Sequence, residues 1–311
     1  MSIDGFGLAR DEIRKDIVSA LDRSGLLYRE FSRLKSEISL QKKLKNDPEK
    51  YTAASGKKIQ DIIGIRIVLY FQNDIAIAKE IIGKLFKERA EDSSITLPDL
   101  KTFAPNRFNL IYEIPHSLHS MLPNNESSVG SHLVTSCNHF VLDYTFEIQL
   151  RTVLSEGWHE VEHDLRYKFP TDWSKQDVES RAFNGIYATL ETAEWSMNKI
   201  IDQLAYHHYK ESNINALIRS IFKLRFDSSS LSSDLEGYLS SNKTILKKFL
   251  RIDREDFIIK RMELKFQPPL NYNNIVYLAN LFYIQDDNIT QMTPDSIKNL
   301  TFKDVSLIQS S

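Results

Sequence analysis

The sequence of 311 residues contains a single cysteine, Cys137, and no apolar run that approaches the roughly 20 residues of a membrane-spanning helix. One cysteine excludes an internal disulfide framework and any zinc site built from several cysteines. The first residues lack a basic segment followed by an apolar one, so no secretory signal is predicted. These absences predict a cytoplasmic protein in a reducing setting, with no membrane partner.

An excess of one charge is also lacking, since 40 lysines and arginines stand against 42 acidic residues and the net charge is −2. The total charge therefore indicates no class of partner. Basic residues nevertheless cluster between residues 29 and 58, where the sequence places Arg29, Arg33, Lys35, Lys42, Lys43, Lys45, Lys50, Lys57 and Lys58. Such a run is more often a solvated helix face, but it can also hold a triphosphate.

The periodicity of apolar residues predicts helices, then a β-α-β-β segment, then further helices. The predicted strands are residues 59–71, 108–114 and 140–150, and the predicted helices are residues 9–46, 74–89, 153–167 and 178–209. A long polar insertion occupies residues 115–139. This order predicts an α+β fold. The character of the chain changes near Glu211, so a domain of residues 1–210 is predicted to precede a separate helical domain, residues 211–311, of unknown role.

Polar residues suited to binding or catalysis lie in or beside two strand-like runs. Apolar and polar residues alternate from residue 146 to residue 150, so Glu147, Gln149 and Arg151 project from one face of a strand. Asp61 precedes the other run. Taken alone, each carboxylate is as typical of a structural position as of a metal ligand. Asp61 could cap a turn at the start of a strand, and Glu147 could simply face outward from a strand. A carboxylate and an arginine on one sheet face, however, suit a magnesium ion and a polyphosphate.

Three motifs together resemble the synthetase domain of the RelA/SpoT family, which makes the alarmones (p)ppGpp. Asp61 begins Asp-Ile-x-Gly-x-Arg-Ile, Glu147 begins Glu-Ile-Gln-x-Arg-Thr, and Trp158 begins Trp-x-x-x-Glu-His-x-Leu-x-Tyr-Lys. The resemblance covers roughly residues 20–200. It implies a mixed β-sheet flanked by helices, of the family's nucleotidyltransferase-like kind, with the C-terminal helical domain added to it. The family's hydrolase domain has no counterpart in the sequence.

The resemblance implies a reaction and a role for each motif residue. Pyrophosphate would move from ATP to the 3′-hydroxyl of GDP or GTP, a transfer that needs positioning, a metal ion and cations more than covalent help. Asp61 and Glu147 would hold Mg²⁺, and Glu147 could also orient or deprotonate the attacking hydroxyl. The ATP-binding residues would be Arg33, Lys35, Lys43 and Arg66. The supporting residues would be Gln149, Arg151, Glu162, His163, Tyr167 and Lys168.

The acceptor motif departs from the family pattern, which is usually Asn-Gly-Tyr-Arg-Ser-x-His. The best counterpart runs from Asn106 to Tyr112, with Phe108 in place of the stacking tyrosine and Tyr112 in place of the histidine. The segment Ser117-Leu118-His119 offers a second alignment. The acceptor therefore stays open, and the alternatives are pyrophosphorylation of the tRNA 3′ end, as in toxins of the family, and a non-catalytic nucleotide-binding protein. A homo-oligomer is also left open.

One further motif competes for the same segment. Residues from His159 to His163 read His-Glu-x-x-His, which on a helix places two imidazoles one turn apart, as in zinc proteases. No clear third ligand follows at the spacing of the metzincins. A zinc protease is therefore kept as a remote alternative.

Overall fold

The computed structural model describes residues 4–46, 58–96, 107–122 and 143–303. The strands are β1 (Tyr28–Leu34), β2 (Ile63–Leu69), β3 (Ser94–Thr96), β4 (Arg107–Glu113) and β5 (Thr145–Thr152). The described α-helices begin with α1 (Asp4–Ser24), α2 (Glu37–Asn46), α3 (Asp74–Gly83), α4 (Val153–Glu162), α5 (Pro170–Trp173), α6 (Asp177–Glu211) and α7 (Ile214–Phe222). They are followed by α8 (Ser233–Ser241), α9 (Lys243–Phe249), α10 (Arg254–Glu263), α11 (Tyr272–Ala279), α12 (Asp287–Met292) and α13 (Asp295–Lys298). None of the described helices is long and apolar enough to cross a membrane.

The five strands form one sheet in the order β1-β2-β5-β4-β3. β4 pairs antiparallel with both β3 and β5. β1 and β2 are also antiparallel, because the amide of Lys35 donates to the carbonyl of Ile62 at 2.8 Å while the amide of Tyr70 donates to the carbonyl of Leu27 at 3.0 Å. Residue numbers thus rise along one strand as they fall along the other.

The two central strands, β2 and β5, run parallel. The amide of Asp143 donates to the carbonyl of Ile59 at 3.1 Å, and farther along Nε of Arg66 donates to Oε1 of Gln149 at 3.1 Å. Both strands are rich in β-branched and aromatic residues, as buried central strands usually are. The sheet is therefore mixed and is accompanied by helices, which confirms the predicted α+β class.

One sequence prediction for the first helical region is wrong. A continuous helical region was expected over residues 9–46, yet residues 28–34 form β1. Gly25 ends α1 with φ of +79°, a left-handed conformation that favours glycine after a helix. After Gly25, exposed and half-buried residues alternate along β1, as on an edge strand. The apolar spacing from Phe31 to Ile38 fits the helical period only because the strand leads directly into α2.

The chain divides into two compact units. The first consists of Met1–Ser19, Tyr28–Val68 and Ile82–Tyr187, and the second of Ala20–Leu27, Leu69–Ile81 and Ala188–Ser311. The first unit holds the sheet. In the second, short helices enclose a core in which Phe222 and Phe257 pack with ring centroids 4.5 Å apart. The second unit draws segments from both sides of residue 210, and the domain boundary predicted there stays a prediction.

Candidate active site

The polar face of the sheet forms the floor of an open cleft of about 560 Å³ in the first unit. Alternation along β5 explains this position, because Phe146, Ile148 and Leu150 are buried while the residues between them are only half-buried. The lining residues come from β1, β2, β5, α4 and the short π-helix that follows α4 (His163–Tyr167) with the residue after it: Phe31, Ser32, Arg33, Gly64, Ile65, Arg66, Glu147, Gln149, Glu156, Glu160, His163, Asp164 and Lys168.

Asp61 lies immediately before β2 and is held by two lysines. Nζ of Lys43 lies 3.0 Å from one carboxylate oxygen, and Nζ of Lys35 donates to the other. Burial by itself would raise the pKa of Asp61, but the hydrogen bonds and charges of Lys35 and Lys43 outweigh it and hold this pKa below its usual range. The structure therefore brings together one ionised carboxylate and two of the predicted phosphate-binding cations.

Glu147 projects from the polar face of β5. Burial, and then the charge of Asp61, raise the pKa of Glu147 above the ordinary value for a glutamate. Nε2 of Gln149 donates to Oε2 of Glu147 at 3.0 Å. The two predicted metal ligands are thus close enough for their charges to repel each other, a cost that a cation bound by both carboxylates would remove.

These two carboxylates fit a magnesium ion. Magnesium is commonly held by one or two protein carboxylates and takes its other ligands from water and substrate phosphates. Within the described parts of the chain there is no group of three or more histidine, cysteine, aspartate or glutamate side chains that could hold a metal ion by itself. A metal bound by Asp61 and Glu147 would therefore take its further ligands from water and from the phosphates of a substrate.

Two arginines stand beside Glu147 on the same face. Arg66 donates from Nε to Oε1 of Gln149, and Arg151 donates from Nη2 to the same oxygen at 3.3 Å. Both guanidinium groups also contact α4, through Glu156 and Glu160. The predicted residues Arg66, Gln149 and Arg151 therefore belong to one hydrogen-bonded group with Glu147.

The predicted supporting residues between Glu162 and Lys168 divide into two sets. His163 and Lys168 line the cleft, and both contact Asp164, at 2.8 and 2.6 Å. Glu162 is buried and faces Arg166 and Arg107 instead, and Tyr167 is 68% exposed and stacks on His163. Glu162 and Tyr167 do not line the cleft, and their supporting roles stay predictions.

The predicted acceptor residues on β4 do not reach this cleft. In the register of β4 against β5, Phe108 is opposite Leu150 and Tyr112 is opposite Phe146, so both rings project from the apolar face. Tyr112 is fully buried in the core. On the polar face, the β4 neighbour of Gln149 is Asn109. Asn106 lies outside the described residues, and the acceptor roles of all three predicted residues stay predictions.

The two histidines of the His-Glu-x-x-His segment lie in different surroundings. His159 is 3% exposed and packs against Trp158 and Tyr187, with ring centroids 5.3 and 5.8 Å away. His163 is half exposed and pairs with Asp164. The geometry of the described residues therefore gives the zinc alternative no support.

Glu156 and Glu160 are cleft residues that the sequence analysis missed. They lie four residues apart on α4, so they share one helix face. Thr152 caps this helix: its side chain accepts from the amide of Ser155 at 3.2 Å, and Oγ of Ser155 accepts from the amide of Thr152 at 3.0 Å. The available signal was a pair of acidic residues one turn apart on the helix that follows β5, whose last two residues are Arg151 and Thr152.

The site thus combines carboxylates and arginines on one face of a mixed sheet in an α+β fold. Residues 32–172 match the family model described as a region found in RelA and SpoT proteins. The chain therefore contains a RelA/SpoT region, and the match confirms the resemblance carried by its motifs. No curated protein matches the chain significantly.

Several solved structures resemble the chain. A GTP pyrophosphokinase family protein from Streptococcus pneumoniae is 18% identical, with a TM-score of 0.42, over 64% of this chain and 90% of that protein. The small alarmone synthetase 2 from Bacillus subtilis is 23% identical, with a TM-score of 0.39, over 63% of this chain and 92% of that one. The small alarmone synthetase 1 from the same organism, described as bound to its product pppGpp, is 21% identical, with a TM-score of 0.44, over 64% and 93%.

Proposed function

We propose that the protein is a pyrophosphokinase that transfers the β,γ-pyrophosphate of ATP to the 3′-hydroxyl of GDP or GTP and so makes (p)ppGpp. The observation that carries the proposal is the arrangement of Asp61 and Glu147 at two parallel neighbouring strands, with Lys35, Lys43 and Arg66 beside them. The family match over residues 32–172 supports the same class of reaction.

The residues of the cleft divide the work of such a transfer. Lys35 and Lys43 neutralise Asp61, and both would turn toward the triphosphate if a metal ion took their place on this carboxylate. Asp61 and Glu147 would hold Mg²⁺, which when bound neutralises phosphate charge and polarises the phosphoryl oxygens. Arg33, Arg66 and Lys168 line the cleft and would stabilise the charge that develops on the transferred group.

Two other side chains suit the nucleotides themselves. Glu147 faces the cleft from β5, and its carboxylate would accept the proton of the attacking 3′-hydroxyl. Phe31 lines the cleft and is 53% exposed, so its ring offers a stacking surface for a purine base. We propose both roles as parts of the same reaction.

The test is a transfer assay with γ-labelled ATP and, in separate reactions, GDP, GTP, unlabelled ATP and bulk tRNA. We expect label on GDP or GTP in the presence of Mg²⁺ and none after addition of EDTA. Asp61→Asn should abolish the labelling, whereas Asp16→Asn, at an exposed position of α1, should not. Label on tRNA alone would establish the alternative acceptor, and label on none of them would contradict the proposal.

A further inference from the structure

Glu156 on α4 bridges the two arginines of the cleft. Its Oε1 lies 2.6 Å from Nη1 of Arg66, and its Oε2 lies 2.8 Å from Nη1 of Arg151. The three side chains are only 16%, 21% and 16% exposed, for Glu156, Arg66 and Arg151 in that order. Charge-assisted bonds in so sheltered a position hold their partners more firmly than exposed ion pairs do.

This bridge determines how Gln149 is oriented. The two arginines donate to Oε1 of Gln149, at 3.1 and 3.3 Å. A guanidinium group can only donate, so the oxygen of the amide must face the arginines. The NH₂ group must then point away from them, and it donates to Glu147 at 3.0 Å. Glu156 is therefore linked to Glu147 through one continuous set of hydrogen bonds.

Without Glu156, this set of hydrogen bonds would lose the negative charge that holds the positively charged Arg66 and Arg151 side by side. Burial, and next the charge of Arg66, lower the pKa of Arg151. The negative charge of Glu156 instead raises the pKa of both arginines. Glu160 also accepts from Arg66, but it is the weaker bridge, because its side chain is 52% exposed and lies 3.9 Å from Arg151. The reciprocal cap of α4 fixes the first turn of the helix, and so the position of Glu156.

We propose that Glu156 is a positioning residue for the transfer reaction. It keeps Arg66 and Arg151 together on Gln149, and Gln149 in turn holds the carboxylate of Glu147 in place. The kinetic part of this inference rests on the proposed function, while the structural part does not.

The kinetic test compares Glu156→Gln with Glu160→Gln and with Glu12→Gln, a half-exposed position on α1. A misplaced catalytic group costs up to about a hundredfold in rate, so kcat of Glu156→Gln should fall by roughly ten- to a hundredfold. The affinity for a non-hydrolysable ATP analogue should stay the same or increase, because a carboxylate that competes with phosphate for the arginines has been removed. Glu160→Gln should show a smaller loss of kcat, and Glu12→Gln none.

Three results would overturn the proposal. An unchanged or higher kcat in Glu156→Gln would show that Glu156 restrains the arginines. A parallel loss of kcat, analogue affinity and unfolding free energy would show a merely structural role. Failure of Glu156→Asp, which keeps the charge with a shorter reach, to recover any kcat would show that the charge is not what matters.

A second measurement does not depend on activity. The side-chain amide signals of Gln149 can be identified in an NMR spectrum by their disappearance in Gln149→Glu. In the unaltered protein we expect slow exchange of these protons with water, and in Glu156→Gln fast exchange. Equal exchange in the two proteins would contradict the proposal that Glu156 orders Gln149. If the unaltered protein transfers no pyrophosphate, the proposed function fails, and this measurement still decides whether Glu156 orders Gln149.

Discussion

The two faces of strand β5 differ completely although they belong to the same eight residues. Phe146, Ile148 and Leu150 on one face are at most 1% exposed, whereas Glu147 and Gln149 on the other line the cleft. The apolar face contributes stability, and the polar face carries a glutamate whose raised pKa shows that its charge is disfavoured by burial and by Asp61. One strand can thus bear an unfavourable charge because its other face is packed in the core.

The largest effect is expected on the apolar face. The ring of Phe146 is fully buried, with centroids 5.1 Å from Phe86 and 5.7 Å from Tyr112. Phe146→Ala should lower the free energy of unfolding by about 3–5 kcal/mol, the usual cost of such a cavity. Denaturant unfolding measures it, and Phe31→Ala, at an exposed position, should cost less than about 0.5 kcal/mol. Equal losses in the two variants would mean that the faces do not differ in packing.

The second effect falls on the polar face. Glu147→Gln removes a charge and leaves the side-chain volume almost unchanged, so pyrophosphate transfer should fall by on the order of a hundredfold or more. Because the buried charge is also lost, the unfolding free energy at neutral pH should stay equal or rise. The transfer assay and denaturant unfolding give the two values. Near-normal transfer in a folded variant would show that the reaction does not need the carboxylate of Glu147.

How far the sequence predicted the molecule follows from the same contrast. Alternation along residues 146–150 has a period of two, and this alone predicted which side chains of β5 share the polar face. The helix from residue 178 to residue 209 was also well predicted, because a long periodic segment leaves little ambiguity. Strand β1 was missed, since its apolar residues continue into α2 at a spacing that a helix also allows.

The site was less predictable than the strands. A motif fixes residue types, but the register between β4 and β5 decides which of them share a face, and no motif specifies that register. Phe108 and Tyr112 therefore fell on the core side. Glu156 and Glu160 were missed for a related reason. Arg66 is 90 residues away from Glu156 in sequence, and Arg151 lies on the strand before α4, so only the fold brings these side chains together.

The third prediction concerns the acceptor and separates the two faces of β4. Asn109 is paired with Gln149 on the polar face, so Asn109→Ala should raise the acceptor KM by roughly two- to tenfold, the value of one net hydrogen bond. Phe108→Ala should leave the acceptor KM within about twofold, because its ring lies on the other face. Steady-state kinetics with saturating ATP measures both. A larger rise in the acceptor KM for Phe108→Ala than for Asn109→Ala would favour Phe108 as the acceptor-binding residue.

The smallest effect is a pH dependence in which the two carboxylates act in opposite directions. Glu147 has a raised pKa in the folded protein, so its contribution to stability is fully present below about pH 4.3, where an unfolded glutamate titrates, and is lost as the pH rises through the folded value. Asp61 has a lowered pKa, so its contribution is present above about pH 3.9 and is lost as the pH falls.

In urea unfolding with EDTA present, Glu147→Gln should therefore gain more stability relative to the unaltered protein at pH 7 than at pH 4.5. Asp61→Asn should instead be less stable than the unaltered protein at pH 7, and its deficit should shrink only toward strongly acid pH. A deficit in Glu147→Gln that grows from pH 4.5 to pH 7 would mean that the carboxylate of Glu147 is stabilised by its surroundings, contrary to the contrast between the two faces.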